Sequence, residues 1–346
     1  MFESIQFKNF KALREAKLPL RPFTLILGPN GSGKSTALQA LLALQDINRF
    51  HFSDVATVGA SGIKDVSLTV QWSAPFTECV TVMDWVENGG KQVSFLNARS
   101  RTSVTVDVLR ELSLELRSIQ VYAFDNDAIV PPVMLRPGAS LGSKGNNLAV
   151  VLDRLRDQYP ERFASINNEL RQWLPEFDTI LFETPADGHR SINLRMKRSG
   201  VALQARDLSQ GTLQALAILT LAYLPDPPRV IGIEEPDRGI HPRLLRQVRD
   251  ALYRLSYPDQ FGESRVPTQV IATTHSPYFL DLYRDRLEEV VLAEKLEDGA
   301  RFIPLSSHQH LEEILRDTQL GEAWYTGILG GVPATRESCD SRRVTC

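Results

Sequence analysis

The chain has 346 residues, 42% of them hydrophobic, which is enough for one large α/β domain with an inserted lobe or for two domains. A formal net charge of -3 gives no overall attraction to nucleic acid or an anionic membrane, so any nucleic-acid contact needs a local basic patch. Three widely spaced cysteines argue against a disulfide framework and a zinc site and are typical of a reducing cytoplasm. The apolar tracts are too short to span a bilayer, so we expect a cytoplasmic protein with no membrane insertion.

The chain opens with predicted strands and a helix. Alternating apolar and polar residues at 2–10 predict a strand, and residues 17–20 are predicted to pair with it. The apolar run at 23–27 predicts a buried strand, and leucines on one face of residues 35–44 predict a helix. A strand, a turn and a helix in this order are what a phosphate-binding loop requires.

The turn is glycine-rich and fits the pattern G-x-x-x-x-G-K-[ST] at every fixed position. Its glycines allow backbone N–H groups to converge on a phosphate, and the helix adds the positive end of its dipole. We expect Lys34 to place its ammonium between the β and γ phosphates of a nucleotide and Ser35 to ligate Mg²⁺. The predicted nucleotide-binding residues are Gly28, Pro29, Asn30, Gly31, Ser32, Gly33, Lys34, Ser35 and Thr36.

Residues 66–124 show period-two runs, at 66–72, 80–85 and 93–96. A turn signal at 87–91 separates the last two runs. The pattern predicts an antiparallel sheet with a hairpin. The proline- and glycine-rich segment 124–147 is predicted to be a loop-rich crossing between subdomains.

The next segment is predicted to form helices and a hairpin. Apolar stripes predict one helix from residue 148 and a second that begins at Pro160. Residues 178–182 and 191–196 predict a hairpin, to which 201–203 could add a strand.

The same hairpin carries the densest basic segment of the chain, with Arg190, Arg195, Lys197 and Arg198. One interpretation is a solvated sheet edge blunted by charge, and the other is a patch that contacts DNA phosphates. The first is favoured, because charged side chains commonly protect exposed edges.

A short polar sequence, Ser209-Gln210-Gly211, precedes a helical stripe of leucine and alanine. By itself this stretch predicts an ordinary helix N-cap, since either the Ser209 hydroxyl or the carboxylate of the nearby Asp207 can accept a hydrogen bond from an orphan amide. The start of such a helix also favours anions.

An apolar strand at 230–233 ends in two adjacent carboxylates, Glu234 and Glu235. Alternation along a strand predicts that they point to opposite faces and differ in role. We expect Glu234 to orient Mg²⁺ and Glu235 to act as general base on the attacking water.

Another buried strand, at 270–274, ends at His275-Ser276-Pro277. A single histidine after a strand is more often structural than catalytic. Beyond it, we expect strands within residues 287–305 and a helix at residues 310–316. Residues 320–325 are expected to pack back on the fold, and residues 332–346 are expected to form a loose tail. The Ser307 to His310 run is either a metal site or, more commonly, a helix start.

These motifs, together with Phe7-Lys8-Asn9-Phe10-Lys11 before the glycine loop, run in order from residue 5 to about 280. In that order they resemble the RecF, SMC and OLD group of ABC-type ATPases. The resemblance implies an α/β P-loop NTPase with an ABC-type head: a mixed central sheet, an antiparallel β subdomain and a helical lobe. It implies a single domain, with a nucleotide-binding half at 1–125, an inserted lobe at 126–205 and a second half at 206–331.

The resemblance also implies roles for individual residues. Ser209 and Gly211 match the signature that binds the γ-phosphate of ATP held by the opposite protomer, and His275 matches the switch histidine that contacts the γ-phosphate. A glutamine that senses Mg²⁺ is either Gln71 or Gln120. His241 occupies the position where many heads have an aspartate.

By resemblance, the expected function is ATP binding and hydrolysis with Mg²⁺, in a homodimer with ATP at its interface. A role in DNA maintenance or anti-phage defence is implied, with a separately encoded effector and with DNA as a further candidate partner. The short apolar stripes do not predict a long coiled coil, and the chain is expected to lack the nuclease domain of OLD proteins. The alternatives are the ATP-binding subunit of a membrane transporter and a cytosolic small-molecule phosphotransferase.

Overall fold

The computed structural model describes residues 1–57, 62–296 and 299–330, and the contacts divide the chain into two compact units. The first, which we call the carboxylate unit, contains Met1 and residues 110–272. The second, the loop unit, contains residues 2–109 and the chain from Thr273 onward. The predicted loose tail at 332–346 lies outside the described residues.

The strands and helices occur where apolar periodicity changes between two and about 3.6 residues. The strands of the described chain are β1 (Phe2–Phe10), β2 (Leu13–Pro19), β3 (Phe23–Leu27), β4 (Asp65–Trp72), β5 (Cys79–Val86), β6 (Gly90–Asn97), β7 (Ile119–Tyr122), β8 (Val133–Met134), β9 (Phe177–Glu183), β10 (His189–Met196), β11 (Ala202–Gln204), β12 (Val230–Glu234), β13 (Gln269–Thr274), β14 (Val290–Leu296) and β15 (Gly299–Pro304). The helices are α1 (Lys34–Gln45), α2 (Phe52–Val55), α3 (Val106–Arg117), α4 (Asn126–Ile129), α5 (Leu148–Gln158), α6 (Pro160–Trp173), α7 (Gln210–Ala222), α8 (Leu245–Ser256), α9 (Pro277–Leu280), α10 (Leu311–Asp317) and α11 (Leu320–Tyr325). Within the described ranges, no helix has both the length and the apolarity needed to cross a membrane.

The loop unit contains a five-stranded antiparallel sheet in the order β2-β1-β4-β5-β6. Every second residue of β4 is buried, as the period-two pattern predicts. The predicted hairpin is confirmed, because Val86 pairs with Gly90 across its turn. In the same unit β3 pairs parallel with β14, which pairs antiparallel with β15, so this pairing is mixed.

The prediction that the period-two pattern continues to residue 124 is wrong. The antiparallel sheet ends at Asn97, and the next element is helix α3. Leu112 and Leu116 are its buried residues, at the four-residue spacing of a helix face. The strand that follows, β7, pairs parallel with β12 in the carboxylate unit.

The carboxylate unit also contains the predicted hairpin, β9 and β10, with β11 as a third antiparallel strand. Both predicted helices are present as α5 and α6, and Pro160 begins α6. Helix α7 is buried along its whole length from Thr212 to Ala222, which is typical of a central helix that is apolar on all sides.

Strand β10, which carries Arg190 and Arg195, is not a sheet edge, which corrects the prediction for these two residues. Strand β10 lies between β9 and β11, so its backbone is paired on both sides. Arg190 contacts Asp153 with 3.0 Å between Nε and Oδ2, and Arg195 makes two hydrogen bonds of 2.8 and 3.0 Å to Asp178. These carboxylates compensate half of the basic cluster, and DNA binding by this segment, including 197–198, stays a prediction.

Candidate nucleotide site

The glycine-rich loop is set by the buried strand before it. All five residues of β3 are buried, and the loop begins directly after it at Gly28. A Cβ on Gly28 would lie 2.5 Å from the carbonyl oxygen of Ala293, so only glycine fits there. Gly31 and Gly33 have φ angles of +76° and +93°, in the left-handed region that favours glycine. The loop backbone is therefore shaped by both close packing and turn geometry.

Lys34 lies within this loop and is only 7% exposed. Its Nζ donates hydrogen bonds to the carbonyl oxygens of Gly28, at 2.7 Å, and Pro29, at 3.0 Å. A buried ammonium is costly unless it is well coordinated, so this position favours an anionic ligand.

Three hydroxyl side chains belong to the same loop and the helix start after it. The Ser32 hydroxyl is fully buried and has no hydrogen-bond partner among the described residues. Ser35 is exposed and Thr36 is half-buried at the start of α1. A hydroxyl oxygen beside a phosphate cradle is a ligand type that Mg²⁺ accepts. The loop therefore fits a nucleotide phosphate with its magnesium ion.

His275 belongs to the same unit as the loop and follows β13. Thr273 and Thr274 at the end of that strand are buried, whereas His275 is exposed. The next residue, Ser276, caps α9 by accepting a hydrogen bond from the Phe279 amide at 3.3 Å. His275 is thus an exposed residue between the end of a buried strand and the start of a capped helix.

The two carboxylates lie in the other unit, at the end of β12, where they differ in backbone conformation. Glu234 is the last residue of the strand, but Glu235 has φ of 44°. The predicted alternation to opposite faces presumes an extended chain, which ends at Glu234, so the face to which the Glu235 carboxylate points stays a prediction. A non-glycine residue in the left-handed region costs about 1–3 kcal/mol and is found most often at functional sites.

The turn after Glu235 is hydrogen-bonded to its surroundings. The carbonyl oxygen of Glu235 accepts hydrogen bonds from the Arg238 amide, at 3.0 Å, and from Nε2 of Gln214, at 3.5 Å. Gln214 lies on α7, so this contact joins the carboxylate turn to that helix.

The start of α7 is the second feature of this unit. Ser209 is the N-cap, and its Oγ accepts a hydrogen bond of 3.1 Å from the Thr212 amide, which confirms the N-cap prediction. A Cβ on Gly211 would lie 2.3 Å from the carbonyl oxygen of Gly239. The loop that follows Glu235 therefore packs directly on the first turn of α7, and Gly211 permits this contact.

A groove of about 480 Å³ lies over this helix start. Besides Ser209 and Gly211, it is lined by Glu176, His241 and Arg243. We call it the α7 groove. It combines a helix N-terminus, which favours anions, with side chains of both charges.

The other end of α7 is held by charged side chains. Arg162 donates to the carbonyl oxygens of Tyr223 and Leu224, and Arg265 donates to that of Leu224. The Tyr223 hydroxyl donates to Glu169, and the pKa of this hydroxyl is raised by burial and by that carboxylate. Cationic groups at a helix C-terminus stabilise its unpaired carbonyls, so α7 is anchored at both ends.

The predicted residues therefore fall into two groups, one in each unit. The glycine loop and His275 belong to the loop unit, whereas Ser209, Gly211, Glu234 and Glu235 belong to the carboxylate unit. The choice between Gln71 on β4 and Gln120 on β7 stays open. The described part of the chain has no group of three or more His, Cys, Asp or Glu side chains arranged for a metal ion, and His310 is the N-cap of α10.

Two charged residues of the α7 groove had no role in the sequence interpretation. Arg243 directly follows the His241-Pro242 pair, and that proximity is a signal that could have identified it. Glu176 has no such signal, because it comes from the turn before β9, distant in sequence from the rest of the groove.

Two family models match separate parts of the chain. Residues 1–103 match the model described as "AAA ATPase domain", and residues 136–281 match "AAA domain, putative AbiEii toxin, Type IV TA system". The OLD nuclease of Thermus scotoductus is 26% identical over 347 residues, which cover 86% of this chain and 63% of that protein. The Old nuclease of Escherichia phage P2 is 22% identical, over 80% of this chain and 56% of that protein. The chain thus spans less than two thirds of the length of these curated relatives.

The fold is also similar to solved ATPase heads. An SMC head, solved bound to the C-winged helix domain of ScpA, superposes with a TM-score of 0.61 at 15% identity. The match covers 91% of this chain and 99% of that one, and at this identity it shows the fold. The motifs, the two ATPase family models and the OLD relatives together support an ABC-type ATPase head of the RecF/SMC/OLD group.

Proposed function

We propose that ATP closes two copies of this head and that hydrolysis parts them, so that the product is a conformational change. The supporting observation is the α7 groove, where an exposed helix start combines with a cationic side chain. Such a groove accepts phosphate but has no glycine loop among its own residues. In a two-fold dimer each groove meets the loop of the partner, which gives two identical sites.

Within each site the proposal assigns roles to individual residues. Lys34 and the loop amides hold the phosphates, Ser35 and Glu234 hold Mg²⁺, and Glu235 orients the attacking water. Magnesium, when bound, neutralises charge that develops on the phosphates during transfer. His275 and the partner's signature residues contact the γ-phosphate and thereby distinguish ATP from ADP.

The biological process is proposed from the relatives. The resemblance to the RecF/SMC/OLD group supports a cytoplasmic role in anti-phage defence or DNA maintenance, with DNA or a separately encoded effector as the partner, and the two OLD relatives are named as nucleases. The SMC head bound to the ScpA domain is an example of a similar head that binds another protein. A transporter subunit and a small-molecule phosphotransferase are not favoured, because both family models and both relatives belong to another class.

Light scattering of Glu235→Gln with ATP and Mg²⁺ tests the proposal. We expect a dimer with ATP and a monomer with ADP, because slow hydrolysis leaves the closed state populated. Ser209→Arg in the same background should remain monomeric, since a large cation would fill the α7 groove. A persistent monomer at high protein concentration, together with normal ATP turnover in Ser209→Arg, would support the phosphotransferase alternative.

A further inference from the structure

The α7 groove contains an exposed cation that is carried by a hydrogen-bonded backbone turn. Arg243 is exposed, and among the described residues its guanidinium has no ion-pair partner. Several other arginines of the same unit are paired with carboxylates, as Arg195 is with Asp178 and Arg254 with Glu263. Arg243 differs from exposed arginines such as Arg246 because it lines the groove. An isolated cation beside a helix N-terminus makes the site more favourable for an anion.

The backbone that carries Arg243 is well held. It lies in the short 3₁₀ turn Pro242–Leu244, where the Leu244 amide donates to the His241 carbonyl oxygen at 2.8 Å. Leu244 and Leu245 are buried, so the turn is anchored at the start of α8. The Arg243 guanidinium is therefore mobile only through its own side chain.

His241 supports the same chemistry. Its Nδ1 accepts a hydrogen bond of 3.3 Å from the Arg243 amide, so in the neutral ring the proton is on Nε2. The ring is thus a hydrogen-bond donor in its neutral form. Together, the groove offers a guanidinium, an imidazole N–H and the amides of a helix start.

We infer that Arg243 contacts the γ-phosphate of the ATP bound by the other protomer. The inference rests on the proposed function and adds a substrate-contacting residue to it. A guanidinium offers two parallel N–H donors that match two phosphate oxygens, which a lysine ammonium cannot do. ADP lacks that phosphate, so the contact favours closure with ATP over closure with ADP.

Glu176, which also lines the groove, opposes this contact. An exposed carboxylate near a phosphate raises the free energy of the closed state, although salt screens the effect. Substitutions of the two residues should therefore change ATP-dependent closure in opposite directions. A purely structural role for Arg243 does not predict this opposition.

The test measures the dimer dissociation constant with ATP and Mg²⁺, by light scattering, in the Glu235→Gln background. Arg243→Ala should raise this constant about tenfold or more, the scale of losing a charged hydrogen bond. The dissociation constant of Arg243→Lys should lie between those of the parent and of Arg243→Ala, and Glu176→Gln should lower the constant. Arg246→Ala is the matched control, because Arg246 is an exposed arginine of the next turn that does not line the groove.

Fluorescent-nucleotide titration of the monomer should give the same ATP affinity for Arg243→Ala as for its parent, because the contact is made in trans. The inference is overturned if Glu235→Gln dimerises with ATP and Arg243→Ala has no more effect than Arg246→Ala. That result leaves the proposed function intact. If Glu235→Gln itself fails to dimerise, the proposed function is wrong and the inference falls with it.

Discussion

The glycine loop and the α7 groove hold their functional groups in different ways. The loop is one continuous run, Gly28 to Thr36, whose lysine and Ser32 are buried. The groove is assembled from three separate segments, and its charged side chains are exposed. The loop is therefore specified by packing and tolerates little change. The affinity of the groove for an anion depends mainly on side-chain charge, and we expect single substitutions to change it.

The first way to test this contrast is to neutralise the carboxylate that follows β12, in the unit that contains the groove. Glu235→Gln keeps the shape of the side chain but not its negative charge, so ATP should still bind while hydrolysis slows about 10²- to 10⁴-fold, the usual scale for a positioned base. Single-turnover ATPase rates measure the loss. Asp226→Asn is the control, since Asp226 is an exposed carboxylate of the same unit. A rate within about twofold of the parent would remove Glu235 from the reaction.

The next prediction concerns the loop. Lys34→Ala removes the buried ammonium, and ATP affinity should fall by about a hundredfold or more, since charged hydrogen bonds to the phosphates are lost. Fluorescent-nucleotide titration measures the loss, and circular dichroism checks that the variant is folded. Lys17→Ala, at an exposed lysine of the same unit, should bind ATP normally. Undiminished affinity in folded Lys34→Ala would show that this loop is not the nucleotide site.

The same contrast explains how much the sequence can predict. The loop is predictable residue by residue, because its glycines, lysine and serine occupy fixed positions in one short segment. The flanking strand and helix follow from apolar periodicity, and β3 and α1 confirm them. The groove is predictable only in part, at Ser209, Gly211 and His241. Arg243 has only its proximity to His241 as a signal, and Glu176 joins the groove through tertiary packing, which leaves no local pattern in the sequence.

Two features of the structure could not be predicted, for the same kind of reason. The left-handed conformation of Glu235 is not predictable from sequence, because a glutamate at a strand end has no intrinsic preference for positive φ. The charges of β10 resemble those that protect sheet edges and so favour that interpretation, yet they are compensated by Asp153 and Asp178. In both cases tertiary contacts decide the outcome.

A smaller effect is expected where the groove depends on packing. Gly211→Ala places a Cβ within 2.3 Å of the Gly239 carbonyl oxygen, so the loop after Glu235 must shift. The free energy of unfolding should fall by about 1–3 kcal/mol, the range for overpacked sites, and ATP turnover should fall as well. Gly188→Ala is the comparison. Gly188 has a φ of +69°, so alanine is strained there, but its added Cβ would meet no neighbouring atom. If both variants keep normal turnover, the contact between Gly211 and Gly239 does not position Glu235.

The smallest predicted effect separates backbone strain from side-chain chemistry at the two carboxylates. Glu235→Ala and Glu235→Gly both delete the carboxylate, so their difference reports the backbone alone. Because φ is 44° at this residue, the glycine variant should be more stable than the alanine variant by about 1 kcal/mol, despite the extra entropy of glycine in the unfolded chain. At Glu234, which is extended at the end of β12, the order should reverse, and alanine should be more stable by about 0.5–1 kcal/mol. Urea unfolding of the four variants measures both differences. If alanine is the more stable residue at both positions, Glu235 does not keep its left-handed conformation in solution. The turn could not then present the carboxylate as proposed.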